Sequence, residues 1–324
     1  MPRSSISIGS IGEAVIGRPD SSPADRLFRA TVFTVALSVL VITLVIAFEL
    51  VRNSRLPLAK FGWPFLWGTT WDPIAEQFGA LPFLYGTLVS SAVALFIAVP
   101  MGLGVAIFLS ELAPHWLSDP VAFLVELLAA IPSVIYGLIG IFVLVPVVRN
   151  YVEPFLSGTL GFLPLFQGAP YGVGMLTASL VLAVMVVPFI VSVSREILMA
   201  VPRSQREAIL SVGATKWEMV WVAILPYARS GIIGSIFLAL ARALGETMAV
   251  TMVIGNRPEI RLSLFEPGYT MAAVIANEFT EATSNLYLQA LIEIGLVLFA
   301  VTILVNGLAR LLIHSLSQQM EVRD

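Results

Sequence analysis

Glu207-Ala208-Ile209-Leu210-Ser211-Val212-Gly213, then Leu225-Pro226, then Leu240-Ala241-Arg242-Ala243-Leu244-Gly245-Glu246-Thr247-Met248-Ala249-Val250, is the stretch on which the reading of this chain turns. Its first part is a polar connection rich in helix-start signals. Its last part sets a guanidinium and a carboxylate into an otherwise apolar run. A mid-membrane arginine is costly, by roughly 2.5–3.5 kcal/mol on insertion scales, so a charge inside such a run marks a bundle interior or a watery path. The expectation is an all-α, polytopic membrane helical bundle.

The rest of the chain agrees. Of 324 residues, 58% are hydrophobic and 12% charged, against roughly 25% charged in a soluble domain. No charge occurs from Gln77 to Ser110 or from Leu127 to Val148, and each run exceeds the roughly 20 residues that span a bilayer core. Six apolar segments, about 30–51, 83–109, 121–148, 173–194, 230–254 and 288–312, predict six helical spans, because lipid leaves backbone groups no partner but their own helix. Residues 1–28 are polar and mixed in charge, and the run after Arg29 is followed by no small-residue cleavage pattern. It reads as a retained first span. The expected organisation is a tail (1–29), a first span (30–51), an external loop (52–82), a core of five spans (83–312) containing a cytoplasmic loop (195–229), and a tail (313–324). There is no internal repeat and no separate soluble domain.

Basic residues orient the bundle. Arg3, Arg18, Arg26, Arg29, Arg195, Arg203, Arg206, Lys216, Arg229, Arg310 and Arg323 fall on one side; Arg52, Arg55, Lys60, Arg149, Arg257 and Arg261 fall on the other. The excess places both termini in the cytoplasm. All six tryptophans lie outside the apolar centres, as in an aromatic belt. The loop 52–82 reads as interfacial, and Met271–Phe279 as a short re-entrant or interfacial helix. Glu126 and Glu293 are expected to be solvated near span ends. Pro132 and Pro188 are expected to kink spans.

The loop 195–229 carries two capping-box patterns, Ser204 with Glu207 and Thr215 with Glu218. Gly213 between them suits a left-handed helix stop, and Pro226 is expected to break the second helix before the fifth span. The result is a helix–turn–helix knob that another protein can grip, although an ordinary amphipathic connector would read similarly.

Arg242 and Glu246 are four residues apart, on one face of a continuous helix. Two readings stay open. In one they form a buried ion pair that fixes packing. In the other they line an anion path, where the planar guanidinium fork suits two oxyanion oxygens and the carboxylate keeps the site from holding its ligand too tightly. Ala241, Gly245 and Ala249 recur every four residues as a small-xxx-small packing face.

The spacing of Glu207, Ala208, Gly213, Leu225 and Pro226 resembles the EAA motif of bacterial ABC importer permeases, with Ile209 for the second alanine and Ala223 for the isoleucine. Four strings resemble the phosphate-uptake, Pst-type branch: Gln77–Leu88, Ala130–Gly137, Ala241–Ala249 and Glu278–Ala282. The first and last favour its C-type subunit. The resemblance covers about 60–320. It implies a type I ABC importer permease fold in a bacterial inner membrane, a coupling helix in the loop, and a role for Arg242 and Glu246 in phosphate passage. It also implies partners: a sibling permease in a heterodimer, two ATP-binding subunits that bind ATP and Mg, and an external phosphate-binding protein. No nucleic acid and no cofactor of the chain's own are expected.

Several classes are excluded or disfavoured. Without cysteine, thiol and Cys-metal chemistry are out, and two distant histidines, His115 and His314, argue against a metal site. Lys60 and Lys216 follow Ala59 and Thr215, so neither fits a P-loop and the chain is not expected to be an ATPase. A permease for sulfate or molybdate and an ATP-independent anion transporter remain as alternatives.

Overall fold

The computed structural model describes residues 23–321, with side chains for 26–313. Arg3, Arg18 and Arg323 and the side chain of His314 lie outside these, as do the tail residues 1–22 and 322–324. The chain divides into two units, up to Glu49 and from Leu50 onward; the first described helix is Pro23–Asn53. Six described helices are long and apolar enough to cross a membrane: Arg26–Asn53, Leu81–Leu112, Ser133–Leu160, Met175–Met199, Lys216–Leu244 and Asn285–Ile313. They are called spans one to six. The only described strands are a two-residue hairpin, Trp71–Asp72 with Gln77–Phe78, in the loop after span one.

Span four is the centre of the second unit. Ala178, Val181, Leu182, Val186 and Ile190 are buried there, and span two lies along it with Ala94, Ala98 and Gly102. A Cβ on Gly102 would stand 2.7 Å from the Ile190 Cγ2, so the small residue sets the approach of the two helices. Spans four and five are joined in their buried faces by Ser194 and Ser235, whose hydroxyls lie 2.9 Å apart.

Two expected elements are drawn differently. The run expected as one span over 121–148 is two helices, His115–Ala129 and span three from Ser133. Pro132 is not a kink within a span; it is extended (ψ 138°) at the start of span three, and the pre-proline restriction on Ile131 together with the missing proline N–H favours ending the preceding helix at Ala129. Span three recovers its length by running on to Leu160. The fifth run, expected over 230–254, begins earlier at Lys216 and stops at Leu244.

Pro226 does not break span five. A five-residue π turn, Val220–Ile224, precedes it and the helix continues. The same device occurs twice in span three, where π turns at Gly140–Leu144 and Val148–Val152 precede Pro146 and Pro154. In each case the residue four before the proline lies inside the π turn. Its carbonyl is the one the proline ring would strike in an α-helix, and the wider turn moves it aside.

On the side of the hairpin, Trp71, Phe78, Phe83 and Tyr287 pack edge-on or stacked with ring centroids 4.8–6.2 Å apart. The Glu278 carboxylate accepts from Trp71 Nε1 (2.8 Å) and from the Tyr287 hydroxyl (2.6 Å). Glu278 ends the helix Met271–Glu278, capped by Thr270, where the short helix was expected. Burial holds the nearby Tyr269 phenol well above its ordinary range. Glu126 is exposed as expected, but Glu293 is not solvated: it is 4% exposed within span six. Its neighbours Ala290, Leu291 and Ile294 are buried in the same cluster as the aromatic hairpin.

Candidate functional site

The knob expected in the loop after span four is present. Helix Arg203–Ser211 is followed by Gly213 with φ +87°, then by the start of span five at Lys216. Only glycine takes that φ without strain, so the turn is set by composition. The second capping box forms: Thr215 Oγ1 accepts from Glu218 N (3.3 Å), and the Glu218 carboxylate accepts from Thr215 N (2.8 Å). The first does not. Pro202 takes the N-cap position and Ser204 lies inside the helix without a capping bond, because the extended entry falls at Pro202, two positions earlier. Replacing Thr215 by Ala is expected to destabilise the knob by about 1 kcal/mol, read as faster amide exchange over 216–219.

Glu207, Ala208 and Gly213 are exposed, Leu225 is half-buried and Pro226 is exposed. Leu210, Val212, Trp217 and Trp221 are exposed around them. Residue 206 points the other way. Arg206 donates Nη2 to Glu111 Oε1 (2.8 Å) and Nε to Glu111 Oε2 (3.2 Å), with further bonds to the Leu198 carbonyl (2.8 Å) and the Val201 carbonyl. Glu111 lies in the π turn Phe108–Leu112 that ends span two. Next to it, Arg195 reaches Asp119 at 3.5 Å and Ser118 Oγ at 3.4 Å on the helix His115–Ala129. Neither Glu111 nor its bond to Arg206 was legible from the sequence. The two residues are 95 positions apart and belong to no shared periodicity; the one hint is that Glu111 ends the charge-free run of span two.

The pair in the fifth run is rearranged. Arg242 lies in the last turn of span five, not at its centre. Gly245 caps that turn (φ −93°, ψ 0°), Glu246 and Thr247 are non-helical, and a new short helix starts at Met248. Thr247 Oγ1 bonds the Gly245 carbonyl at 3.3 Å, and the Glu246 carboxylate accepts from Ala249 N at 3.1 Å. Glu246 is therefore spent on the backbone of the next helix. No ion pair joins it to Arg242 among the described residues, so the packing-pair reading fails on geometry: the helix that would align the two ends between them. Arg242 is exposed with no hydrogen bond or ion pair of its own among the described residues. Its position in a last turn complements the helix dipole.

The small-xxx-small face is broken at the same point. Ala241 is half-buried on span five, Gly245 is exposed outside it, and Ala249 is buried on the short helix. Ala249 packs inside the chain: a Cβ on Gly137 would lie 3.2 Å from the Ala249 Cα and 2.4 Å from the Met252 sulfur. Two of the strings quoted above, 130–137 and 241–249, thus meet at Gly137. Beside them Tyr136 is buried and its hydroxyl donates to the Leu128 carbonyl at 2.7 Å. The other two strings also lie together, through Trp71, Phe78 and Phe83 against Tyr287 and Glu278. Among the described residues no cluster of His, Asp and Glu is arranged to hold a metal.

Non-helical backbone at membrane depth is tolerated where it is enclosed by protein or lines a wet cavity. The break at 245–247 with an uncovered arginine on its edge has that form. The break is separated along span five from the knob at the helix's opposite end.

Comparisons with known proteins agree with this architecture. The chain is 47% identical to the phosphate transport system permease protein PstC of Mesorhizobium japonicum over 290 residues, 88% of this chain and 89% of that protein. It is 47% identical to PstC of Haemophilus influenzae, covering 91% and 94%. A probable PstC of Methanocaldococcus jannaschii is 36% identical, covering 74% and 77%. Among solved structures, the MetNI methionine ABC transporter in inward-facing conformations aligns at a TM-score of 0.55 with 17% identity, over 76% of this chain and 99% of that one. A bacterial ABC transporter involved in import of the polysaccharide alginate aligns at 0.55 with 16% identity, over 88% and 98%. These likenesses establish the fold as that of type I ABC importer permeases. Residues 98–318 match the family described as binding-protein-dependent transport system inner membrane component, and the chain belongs to that family.

Proposed function

We propose that this chain is the membrane permease subunit of an ATP-driven importer of inorganic phosphate. It forms an anion path with a sibling permease and works by alternating access. The observation that carries the anion path is Arg242, uncovered and without a counter-charge at the broken end of span five. Preference for phosphate over sulfate or molybdate is supported by the names of relatives 47% identical over nine-tenths of the chain. Arginine suits the task, since its fork donates to two oxyanion oxygens while staying charged at any working pH. Glu246, held by the Ala249 amide, keeps negative charge a few residues away and limits how long the anion stays.

In this reading the chain is not an enzyme. Two partner subunits bind ATP and Mg and hydrolyse the nucleotide; an external binding protein delivers phosphate. The exposed face of the knob, with Glu207, Ala208, Gly213, Leu225 and Pro226, is the surface on which the ATPase acts. Both termini lie in the cytoplasm, which places the knob there and the hairpin outside. ATP-driven closure pushes the knob, the spans rock, and the path through Arg242 changes the side it faces.

The test is ATP-dependent uptake of labelled phosphate, against sulfate and molybdate, by proteoliposomes holding the chain with its sibling, ATPase and binding protein. Phosphate uptake that the other anions do not match is the expected result; wild-type uptake of sulfate in its place would reassign the solute. Glu207→Arg is expected to abolish coupling, with uptake down about tenfold or more from loss of an interfacial charge contact. Gly213→Val should act more mildly, since no atom lies within 4 Å of the added Cβ and only the φ strain, about 2 kcal/mol for a β-branched residue, is imposed.

A further inference from the structure

We propose that Arg206 and Glu111 form the strut through which helix Arg203–Ser211 moves spans two and four, making both positioning residues of the transport cycle. The proposal rests on the coupling role given above to that helix. The helix has no fully buried residue; its apolar hold is the half-buried Ile209 against the cluster of Leu198, Val201, Met219 and Val220. One aliphatic side chain slides readily. A bidentate guanidinium–carboxylate contact does not, because two parallel bonds fix angle as well as distance. Here every guanidinium nitrogen is used: Nε and Nη2 on Glu111, Nη2 again on the Leu198 carbonyl, and Nη1 on the Val201 carbonyl. Leu198 lies in the last turn of span four and Glu111 in the last turn of span two. A single side chain therefore ties the knob to the ends of both.

The contact is sheltered. The Arg206 and Glu111 side chains are 19% and 5% exposed, so water does not screen it as it screens a surface pair. The next residue, Glu207, is exposed. Consecutive positions on one short helix thus face the partner and the spans, and a push on one side is delivered to the other without passing through a flexible segment. Lysine would replace Arg206 only in part, since an ammonium keeps the charge but lacks the planar fork.

Two measurements test the strut. In the isolated full-length chain, Glu111→Gln should speed hydrogen exchange over residues 203–211 by at least about tenfold, as expected for loss of a buried charged partner, and leave exchange in the middle of span two unchanged. Unchanged exchange over 203–211 overturns the strut whatever solute the complex carries. In the reconstituted complex, phosphate carried per ATP hydrolysed should fall about tenfold in Glu111→Gln while ATP hydrolysis stays within about twofold, with Arg206→Lys between it and wild type. The chain contains no cysteine, so Glu111→Cys with Arg206→Cys can be bridged by a bis-methanethiosulfonate. The bridge should restore the coupling ratio. A formed bridge that restores nothing, or a Glu111→Gln complex with a wild-type ratio, overturns the proposal. A wild-type complex that moves no phosphate overturns the transport reading instead, and leaves the exchange result to decide the strut.

Discussion

Arg242→Gln is expected to lower ATP-driven phosphate uptake by about ten- to a hundredfold, the equivalent of the roughly 1.5–3 kcal/mol that a hydrogen bond to a charged group contributes. Gln keeps the polarity and the first part of the side chain but is shorter and loses the charge and the fork. Folding should be unaffected, because Arg242 holds no partner among the described residues and is exposed at the end of span five. The informative comparison is Glu246→Gln. An amide oxygen can still accept from Ala249 N, now at 3.1 Å, so the short helix keeps its start, and uptake should change much less than in Arg242→Gln. Equal losses in the two variants would mean that the residues act as a pair during the cycle, contrary to their separation here. No loss in Arg242→Gln, in a complex that still assembles and hydrolyses ATP, would leave its guanidinium only a helix-dipole role.

The largest effect on the folded chain is expected from Gly86→Ala. An added Cβ would stand 2.1 Å from the Tyr269 carbonyl oxygen and 2.9 Å from its carbon. Neither can step aside. The Tyr269–Met271 segment is pinned to span two by the Met271 amide, which donates to Thr87 Oγ1 at 2.9 Å, and it begins the helix whose Glu278 holds Trp71 and Tyr287. Overpacking against side chains usually costs about 1–3 kcal/mol; against backbone, the upper end or more is expected. Thermal unfolding in detergent, followed by size-exclusion recovery, should show a clear drop for Gly86→Ala. Gly104→Ala is the control on the same span: no atom lies within 4 Å of its added Cβ, so its stability should stay within about 0.5 kcal/mol of wild type or rise slightly with helix propensity. Equal behaviour of the two variants would mean that span two and the 269–271 segment do not approach as described.

The sequence alone determined the solvent, the helix count and the knob. Charge-free runs longer than a bilayer core admit only helices, and Gly213, Thr215 and Glu218 specify their turn and cap by local backbone chemistry, which needs no distant partner. Pro132, Pro226 and the 241–249 run depart from the periodicity for one reason. The 3.6-residue period says which residues would share a face if a helix continued, and it does not say where the helix stops. Proline is locally compatible with an end, as at Pro132, or with a π turn that carries the helix through, as at Pro226, and packing selects between them. Gly245 likewise ended span five, which parted Arg242 from Glu246 and Ala241 from Ala249. Only the tertiary structure could bring Glu111 to Arg206, Gly137 to Ala249 and Gly86 to Tyr269. These contacts join segments far apart in the chain, and their energy comes from shelter and close approach, neither of which has a signature in local composition.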